Sequence, residues 1–187
     1  MGDAAQDDPL NRRVSIVVAL AATFLSICNV KDSNIVQAMQ ADQAEVVNRW
    51  SYFQAKSTKQ HVASAAADEL EALRATVPEG DAAMKLDALV ARWRADSARY
   101  EAEKKEIEAT AHAAEQNYAV LNLRDDQFDM AEASLSLSIA LMGITALTRQ
   151  KWLLGLGVAF AAFGTLMAIA GFASWSIHPD FLASLLT

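Results

Sequence analysis

Hydrophobic side chains are concentrated in three stretches of the chain that contain no Asp, Glu, Lys or Arg. These stretches are residues 14–30, 133–148 and 152–177, and every charged side chain lies outside them. A helix crosses the hydrocarbon core of a bilayer in roughly 17–25 apolar residues, so each stretch is close to the required length. The pattern predicts three transmembrane helices, flanked by polar tails at residues 1–13 and 178–187. No small-residue cleavage site follows the first stretch, so we expect it to be a retained anchor rather than a signal peptide.

The segment between the first two spans, residues 31–132, has the pattern of two long helices. It contains no Pro or Gly from 35 to 76 or from 82 to 132, whereas Pro78 and Gly80 lie between these ranges. A turn near residues 77–81 is therefore predicted, and one turn between two helices gives an antiparallel hairpin. The polar residues from Asn29 to Asn34 also predict a break after the first span, with Ser33 or Asn34 as a new helix cap.

A period of seven residues in the second arm indicates coiled-coil packing. Apolar side chains recur there at Leu86, Trp93, Tyr100, Ile107, Ala114, Leu121, Phe128 and Leu135. A heptad keeps one seam of a helix facing a partner helix. Because the period continues past residue 133, the arm is expected to run unbroken into the second span. The predicted fold is an all-α membrane protein with three transmembrane helices and a long, antiparallel, coiled-coil-like hairpin between the first and second.

In the first arm, a polar run interrupts the seam that begins with Trp50 and Phe53. The run contains Gln54, Lys56, Ser57, Lys59 and Gln60. Folding about residue 79 places Trp50 and Phe53 near Ile107 and Tyr100. In the same register, Gln60 lies near Ser97 or Tyr100, and Lys56 or Lys59 lies near Glu101 or Glu103. Two interpretations stay open: solvated lysines with only Gln60 at the seam, or a polar layer bonded across the hairpin that fixes its register at some cost in stability.

Small residues form a stripe along the third span at intervals of three and four. They are Gly157, Ala161, Gly164, Ala168 and Gly171. Small side chains let helix backbones approach closely in lipid, where no hydrophobic force drives helices together. The stripe therefore marks a helix contact, either within one subunit or with another subunit.

Basic residues beside the spans predict the orientation. Arg12 and Arg13 precede the first span, and Arg149 and Lys151 separate the second from the third, whereas only Lys31 and Arg124 flank the opposite face. Positive residues favour the cytoplasmic side. The N-terminus is therefore expected in the cytoplasm, with the hairpin and the C-terminus on the periplasmic side.

The run Trp50–Gln60, Trp-Ser-Tyr-Phe-Gln-Ala-Lys-Ser-Thr-Lys-Gln, resembles the signature of an uncharacterised bacterial inner-membrane family, known only as a domain of unknown function. The segments 100–103, 126–133 and 146–153 are similar to later landmarks of that family. The resemblance covers nearly the whole chain and implies a bacterial inner-membrane protein with a helical insert between its spans. It implies no activity, substrate or catalytic residue.

Composition excludes several functional classes. A net charge of −7 argues against a nucleic-acid partner, and a single Cys excludes a disulfide within the chain. The residues form no catalytic, cofactor-binding or metal-ligating pattern, and His61, His112 and His178 are far apart in the proposed register. The spans also lack the charged side chain that pumps and ion transporters usually need.

We therefore expect a non-enzymatic scaffold or accessory subunit in the inner membrane. It would be a homo-oligomer, or a subunit of a larger membrane complex, surrounded by the lipid bilayer. The alternative is a pore formed by several copies and lined by weakly polar side chains: Ser15, Ser26, Asn29, Ser134, Ser136 and Ser138.

Overall fold

The structure is a computed structural model that describes residues 9–177, and these residues are helical apart from two short connections and the last few positions. The helices are α1 (Pro9–Arg74), α2 (Asp81–Thr148) and α3 (Lys151–Ala173). Each contains a stretch long and apolar enough to cross a membrane. The all-helical class and the three candidate spans are therefore confirmed, as expected of a multi-pass membrane protein. Most of the predicted N-terminal tail, and all of the C-terminal tail, lie outside the described residues.

Helix α1 is continuous, so the predicted break at Asn29–Asn34 is wrong. The polar side chains in this run are compatible with a helix. The Ser33 hydroxyl donates to the Asn29 carbonyl, four residues back, instead of capping a new helix. Buried residues also recur every seven positions through the run, at Val14, Ala21, Cys28 and Ile35. One buried face thus extends across the polar segment, and its packing outweighs the weak local preference for a turn.

Helix α2 runs without interruption from Asp81 to Thr148, which confirms that the second arm continues into the second span. Residues 75–80 connect α1 to α2. Gly80 has a φ of +154°, a backbone angle that residues other than glycine rarely adopt. The Arg74 guanidinium spans this connection, because it donates to the Val77 carbonyl, to Glu79 and to Asp87.

The chain divides into two compact units. The first comprises Met1–Gln40 and Ala119–Thr187, and the second comprises Ala41–Tyr118. The core of the first unit combines side chains from all three helices: Ala21, Cys28, Ile35, Phe128, Met130, Ala131, Leu135, Met167 and Ala168. This core holds the apolar stretches of the three helices side by side.

In the second unit, α1 and α2 pack against each other through small residues. Ala63, Ala67, Ala83 and Ala111 are fully buried. Alanine lets two helices approach closely without leaving a gap. Arg94 of α2 donates to Asp68 and Glu71 of α1 along the edge of this contact. These exposed ion pairs contribute little stability, so the close contact of the helices carries most of it.

Candidate functional site

The aromatic end of the α1–α2 seam is centred on Trp50. Its indole Nε1–H donates to Glu115 Oε1 at 2.8 Å, and its ring meets the rings of Phe53 and His112 edge-on, with centroids 5.4 Å apart. His112 Nδ1 lies 2.8 Å from the other oxygen of Glu115. These two hydrogen bonds, that of His112 first, lower the pKa of Glu115. The carboxylate therefore joins the two helices through charge-assisted hydrogen bonds.

Lys56 forms the next contact along the seam. Its ammonium group pairs with Glu103 and lies 5.3 Å from the ring centroids of Tyr52 and Tyr100. Only 13% of the Lys56 side chain is exposed. The hydrogen bond to Glu103 is the main reason that the pKa of Lys56 is raised, and it likewise lowers the pKa of Glu103. Lys56 is therefore a component of the seam rather than a solvated side chain.

Lys104 completes what we call the polar layer, which consists of Lys56, Gln60, Tyr100, Glu101, Glu103 and Lys104. The Lys104 ammonium donates to Gln60 Oε1 at 2.8 Å and to Glu101 at 3.4 Å, and it lies 5.3 Å from the Phe53 ring centroid. Its side chain is 16% exposed. Two lysines are thus enclosed between the helices, each with a carboxylate and an aromatic ring as partners.

Several partners differ from the predicted register, by up to about two turns of helix. The sequence placed Gln60 near Ser97 or Tyr100, whereas the structure places it at Lys104. Trp50 lies against His112 and Glu115 rather than Ile107, while Lys56 meets Glu103, one of its predicted partners. Trp93, Tyr100 and Ile107 are half-buried, as is Ser57, and Gln54 and Lys59 are exposed.

Sequence reasoning missed Lys104 and Glu115 as partners in the seam. A signal for Lys104 was present, because it lies four residues after Tyr100 and three before Ile107, which is the second seam position of the α2 heptad. Glu115 had no such signal, because a carboxylate on a helix surface is usually solvated. Its role follows only from the register, which brings it opposite Trp50.

The opposite side of α1 carries a surface that we call the outer stripe. Its members are exposed and spaced by three or four residues: Ala44, Val47, Ser51, Ala55, Thr58, Val62, Ala65, Glu69 and Leu73. Only Glu69 is charged. The hydroxyls of Ser51 and Thr58 donate to backbone carbonyls four residues back, so they need no outside partner. Charged side chains are exposed beside the stripe on α1 and along α2 in this unit, among them Glu45, Lys59, Asp68, Glu71, Lys85, Arg92, Lys105, Glu106 and Glu108.

In the first unit, three glycines of α3, Gly157, Gly164 and Gly171, face α2. A Cβ on Gly164 would lie 2.9 Å from the Ala131 carbonyl oxygen, and one on Gly157 or Gly171 would lie 2.8 Å from Met142 or Phe128. Ala168 is buried in the same core, whereas Ala161 is half-buried beside α1. The small-residue stripe of the third span is thus occupied largely by α2 of the same chain.

Polar side chains also tie α3 to α2. The Ser138 hydroxyl donates to the Gly157 carbonyl at 2.7 Å, and Arg124 Nε donates to that of Gly171 at 3.2 Å. Gln127 Nε2 donates to the carbonyls of Trp175 and Ile177. The bonds from Arg124 and Gln127 go to carbonyls in and just beyond the last turn of α3, where the helix supplies few backbone N–H donors.

The weakly polar side chains proposed for a pore have partners of several kinds. The hydroxyls of Ser15 and Ser26 donate to carbonyls four residues back in α1. Ser134 and Ser138 are buried, and Ser136 is exposed. The Asn29 amide, in the orientation that satisfies its neighbours, donates to both oxygens of Glu132. Most of these groups are thus already hydrogen-bonded within the chain.

Glu132 belongs to a group of carboxyls from α1 and α2. Burial first, and then the charges of Asp32, Asp129 and Asp125, raise the pKa of Glu132 to about 7. Burial and neighbouring carboxyls also raise the pKa values of Asp125 and Asp129. Over residues 9–177, no group of His, Cys, Asp or Glu has the geometry to hold a metal ion. The group therefore stands as a cluster of like charges just outside the second span.

A family model described as a domain of unknown function, DUF4337, matches residues 10–174. The chain belongs to this family. The match covers all three helices and both compact units. No curated protein and no solved structure matches the chain. The family description names no activity, so the function has to be argued from the surfaces and contacts described above.

Proposed function

We propose that the protein is a non-enzymatic membrane scaffold or accessory subunit that acts by helix–helix association. In this proposal it forms a homo-oligomer or part of a larger membrane complex. The observation that carries the proposal is the outer stripe of α1, which leaves eight uncharged side chains exposed along one face of a helix. Valines at 47 and 62 are 59% and 58% exposed. An exposed apolar face on a helix outside the membrane is typical of a binding surface for another helix.

In the proposed arrangement, α1 and α2 form an antiparallel, coiled-coil-like hairpin outside the membrane. The contacts between the helices support this arrangement, because residue numbers in α1 decrease as the numbers of their partners in α2 increase. Glu71 meets Arg94, Gln60 meets Lys104, and Trp50 meets Glu115. The polar layer then serves to fix the register, since any slip would leave two enclosed lysines without their carboxylates. A fixed register would hold the outer stripe in one defined position.

We place the protein in a bacterial inner membrane, with residues 1–13 in the cytoplasm and the hairpin and C-terminus on the periplasmic side. The excess of basic residues beside the first and third spans supports this orientation. Trp152 and Trp175 lie at the two ends of the third span and are 66% and 48% exposed. Tryptophans in such positions are typical of the two membrane–water interfaces.

Charged substitutions in the outer stripe test the proposal. We expect Val47→Glu combined with Val62→Glu to reduce the native mass of the detergent-extracted protein to that of one chain, because burying two carboxylates in a helix contact is unfavourable. Val120→Glu is the matched control, since Val120 is 56% exposed and lies outside the stripe. Native mass spectrometry measures the outcome.

Two results would contradict the proposal. One is a wild-type protein that has the mass of a single chain and retains no partner protein in mild detergent. The other is a double variant that keeps the wild-type mass and partners. Helicity measured by circular dichroism shows whether the double variant is folded, so loss of the hairpin is distinguished from loss of association. The pore stays a separate prediction, tested by conductance in planar bilayers.

A further inference from the structure

An apolar groove lies between α1 and α3 in the first unit. Its volume is about 620 Å³, and its walls include Leu20, Phe24 and Ile27 of α1 and Ala161 and Ala162 of α3. Leu20 and Ile27 are 67% and 51% exposed, so the groove is open along one side. The Thr23 hydroxyl, also in the wall, donates to the Ala19 carbonyl and adds no unsatisfied polar group. The walls of the groove are therefore suited to contact with hydrocarbon chains.

A second cavity, of about 590 Å³, continues the groove along α1. Both cavities are lined by Thr23 and Ile27, and the second extends to Lys31 and Asn34. Lys31 is half-buried, yet within residues 9–177 it takes part in none of the ion pairs or hydrogen bonds found. The continuous groove is thus apolar over most of its length and ends at an unpaired ammonium group.

We infer that this groove binds one phospholipid molecule, with an acyl chain along Leu20–Ile27 and the phosphate at Lys31. The inference rests on the membrane insertion assumed in the proposed function. An anionic group would neutralise the unpaired ammonium of Lys31. The side-chain amide of Asn34, which lines the same cavity, could donate to that group. An amphiphile with a hydrocarbon tail and an anionic head matches both ends of the groove, which is the charge complementarity that selects it.

The length of the groove also fits a lipid. Val17 and Lys31 are separated by about 21 Å along a helix that rises 1.5 Å per residue. Half of a bilayer, including its headgroup region, is roughly 20–22 Å thick. The groove therefore extends over the length of one lipid in one leaflet. A transmembrane helix from a second copy would instead cross both leaflets. Its apolar stretch contains no Asp or Glu, so it would place no anionic group at Lys31.

Lipid adducts measured by native mass spectrometry test the inference. Delipidated full-length protein in detergent is titrated with phosphatidylglycerol, and in parallel with diacylglycerol, which has the chains but no phosphate. We expect one phosphatidylglycerol per wild-type chain. Lys31→Gln removes the charge and should weaken phosphatidylglycerol binding about tenfold while leaving diacylglycerol binding unchanged. Ala162→Phe fills the groove and should abolish both. Ala159→Phe is the matched control, because Ala159 is exposed on α3 outside the groove walls.

The outcomes separate this inference from the proposed function. Equal phosphatidylglycerol binding by wild type, Lys31→Gln and Ala162→Phe would overturn the lipid site. So would an oligomer that Ala162→Phe dissociates without changing the lipid adducts, since a second copy would then fill the groove. Lys31→Gln keeps the test decisive if Ala162→Phe loses helicity. A protein that stays in solution without detergent would instead overturn membrane insertion, and with it both proposals.

Discussion

Glu115 shows how a single carboxylate joins the two helices of the second unit. It accepts from the Trp50 indole on α1 and contacts the His112 ring on its own helix. Sequence reasoning identified Trp50 as a seam residue because it is large, aromatic and correctly spaced. It did not identify the acceptor, because hydrophobic periodicity says nothing about which polar side chain a given register places opposite an indole.

Trp50→Phe removes the indole N–H while it keeps an aromatic ring in the seam. We expect a loss of about 0.5–1.5 kcal/mol, the usual net contribution of one hydrogen bond. Backbone hydrogen exchange near residues 50 and 115 should then be up to about tenfold faster. Trp93→Phe is the control, because Trp93 is half-buried and its indole has no hydrogen bond to any residue from 9 to 177. Equal exchange in the two variants would show that the Glu115 bond contributes nothing.

The carboxyl cluster around Glu132 makes stability depend on pH. Because burial and neighbouring carboxyls raise the pKa of Glu132 from 4.5 to about 7, the folded protein favours the protonated form. The stabilisation is complete below the unfolded-state pKa and is lost as the pH rises through about 7. The raised pKa values of Asp125 and Asp129 act in the same direction. The Asn29 amide favours the ionised form of Glu132 and opposes them.

We therefore expect the thermal midpoint of the detergent-solubilised protein to fall as the pH rises from 5 to 8. Glu132→Gln removes the titrating group, so its midpoint should vary less over this range. Circular dichroism at 222 nm measures both curves. A wild-type midpoint that rises with pH, or a variant curve as steep as that of the wild type, would show that Glu132 does not control this dependence.

At the scale of helices, periodicity predicted packing better than local residue preferences predicted helix ends. The heptad of α2 predicted one continuous helix from the charged segment into the apolar stretch, and the structure has this helix. The polar run at 29–34 gave a false break in α1, although the buried positions from Val14 to Ile35 follow their own heptad. The last span ends at Ala173, earlier than its apolar composition indicated, because Ser174 adopts a left-handed conformation with φ of 54°.

Gly164 lies at the closest approach of α3 to α2. Gly164→Ala would place a Cβ 2.9 Å from the Ala131 carbonyl oxygen and 3.0 Å from Leu135, so the helices must separate. We expect a destabilisation of about 1–3 kcal/mol, typical of overpacking. Gly155→Ala is the control, because nothing lies within 4 Å of its added Cβ. Thermal midpoints in detergent compare the two, and equal values would contradict the close contact.

The polar layer gives a prediction about register. Replacing both Ser57 and Gln60 with Leu removes the Gln60 oxygen that accepts from Lys104, leaves the Glu101 contact in place, and adds apolar side chains to the seam. We expect the packing of α1 against α2 to become more stable but to populate more than one register. Distances between spin labels on residues 65 and 98, both exposed, should then broaden from one population to several. A single, unchanged distance would show that Ser57 and Gln60 do not specify register.

For the whole molecule, the distribution of charge was the most informative property of the sequence. It predicted an all-helical chain with three apolar stretches, which the structure has. It could not predict which side-chain pairs meet across the helices, because a shift of a few residues changes every partner and hardly changes the pattern. The outer stripe was missed for a related reason, since alanine, serine and threonine are compatible with either a buried or an exposed face.

Cysteine labelling in intact cells tests the proposed orientation. The only native cysteine, Cys28, is buried and should not react. We expect Ala98→Cys to react with a membrane-impermeant maleimide from outside the inner membrane, and Gln150→Cys to react only after permeabilisation. Ala98 is exposed in the second unit, and Gln150 lies between α2 and α3. The reverse pattern of labelling would invert the topology.

The side chain of Arg74 makes three hydrogen bonds that hold the connection between α1 and α2. Its three acceptors include two exposed carboxylates, and exposed ion pairs weaken as dissolved ions screen them. The other contacts between α1 and α2 in the second unit are mainly those of alanines and of enclosed polar groups, which salt affects much less. Rising ionic strength should therefore loosen the connection near Pro78 first, making it the point where a protease would begin to cut.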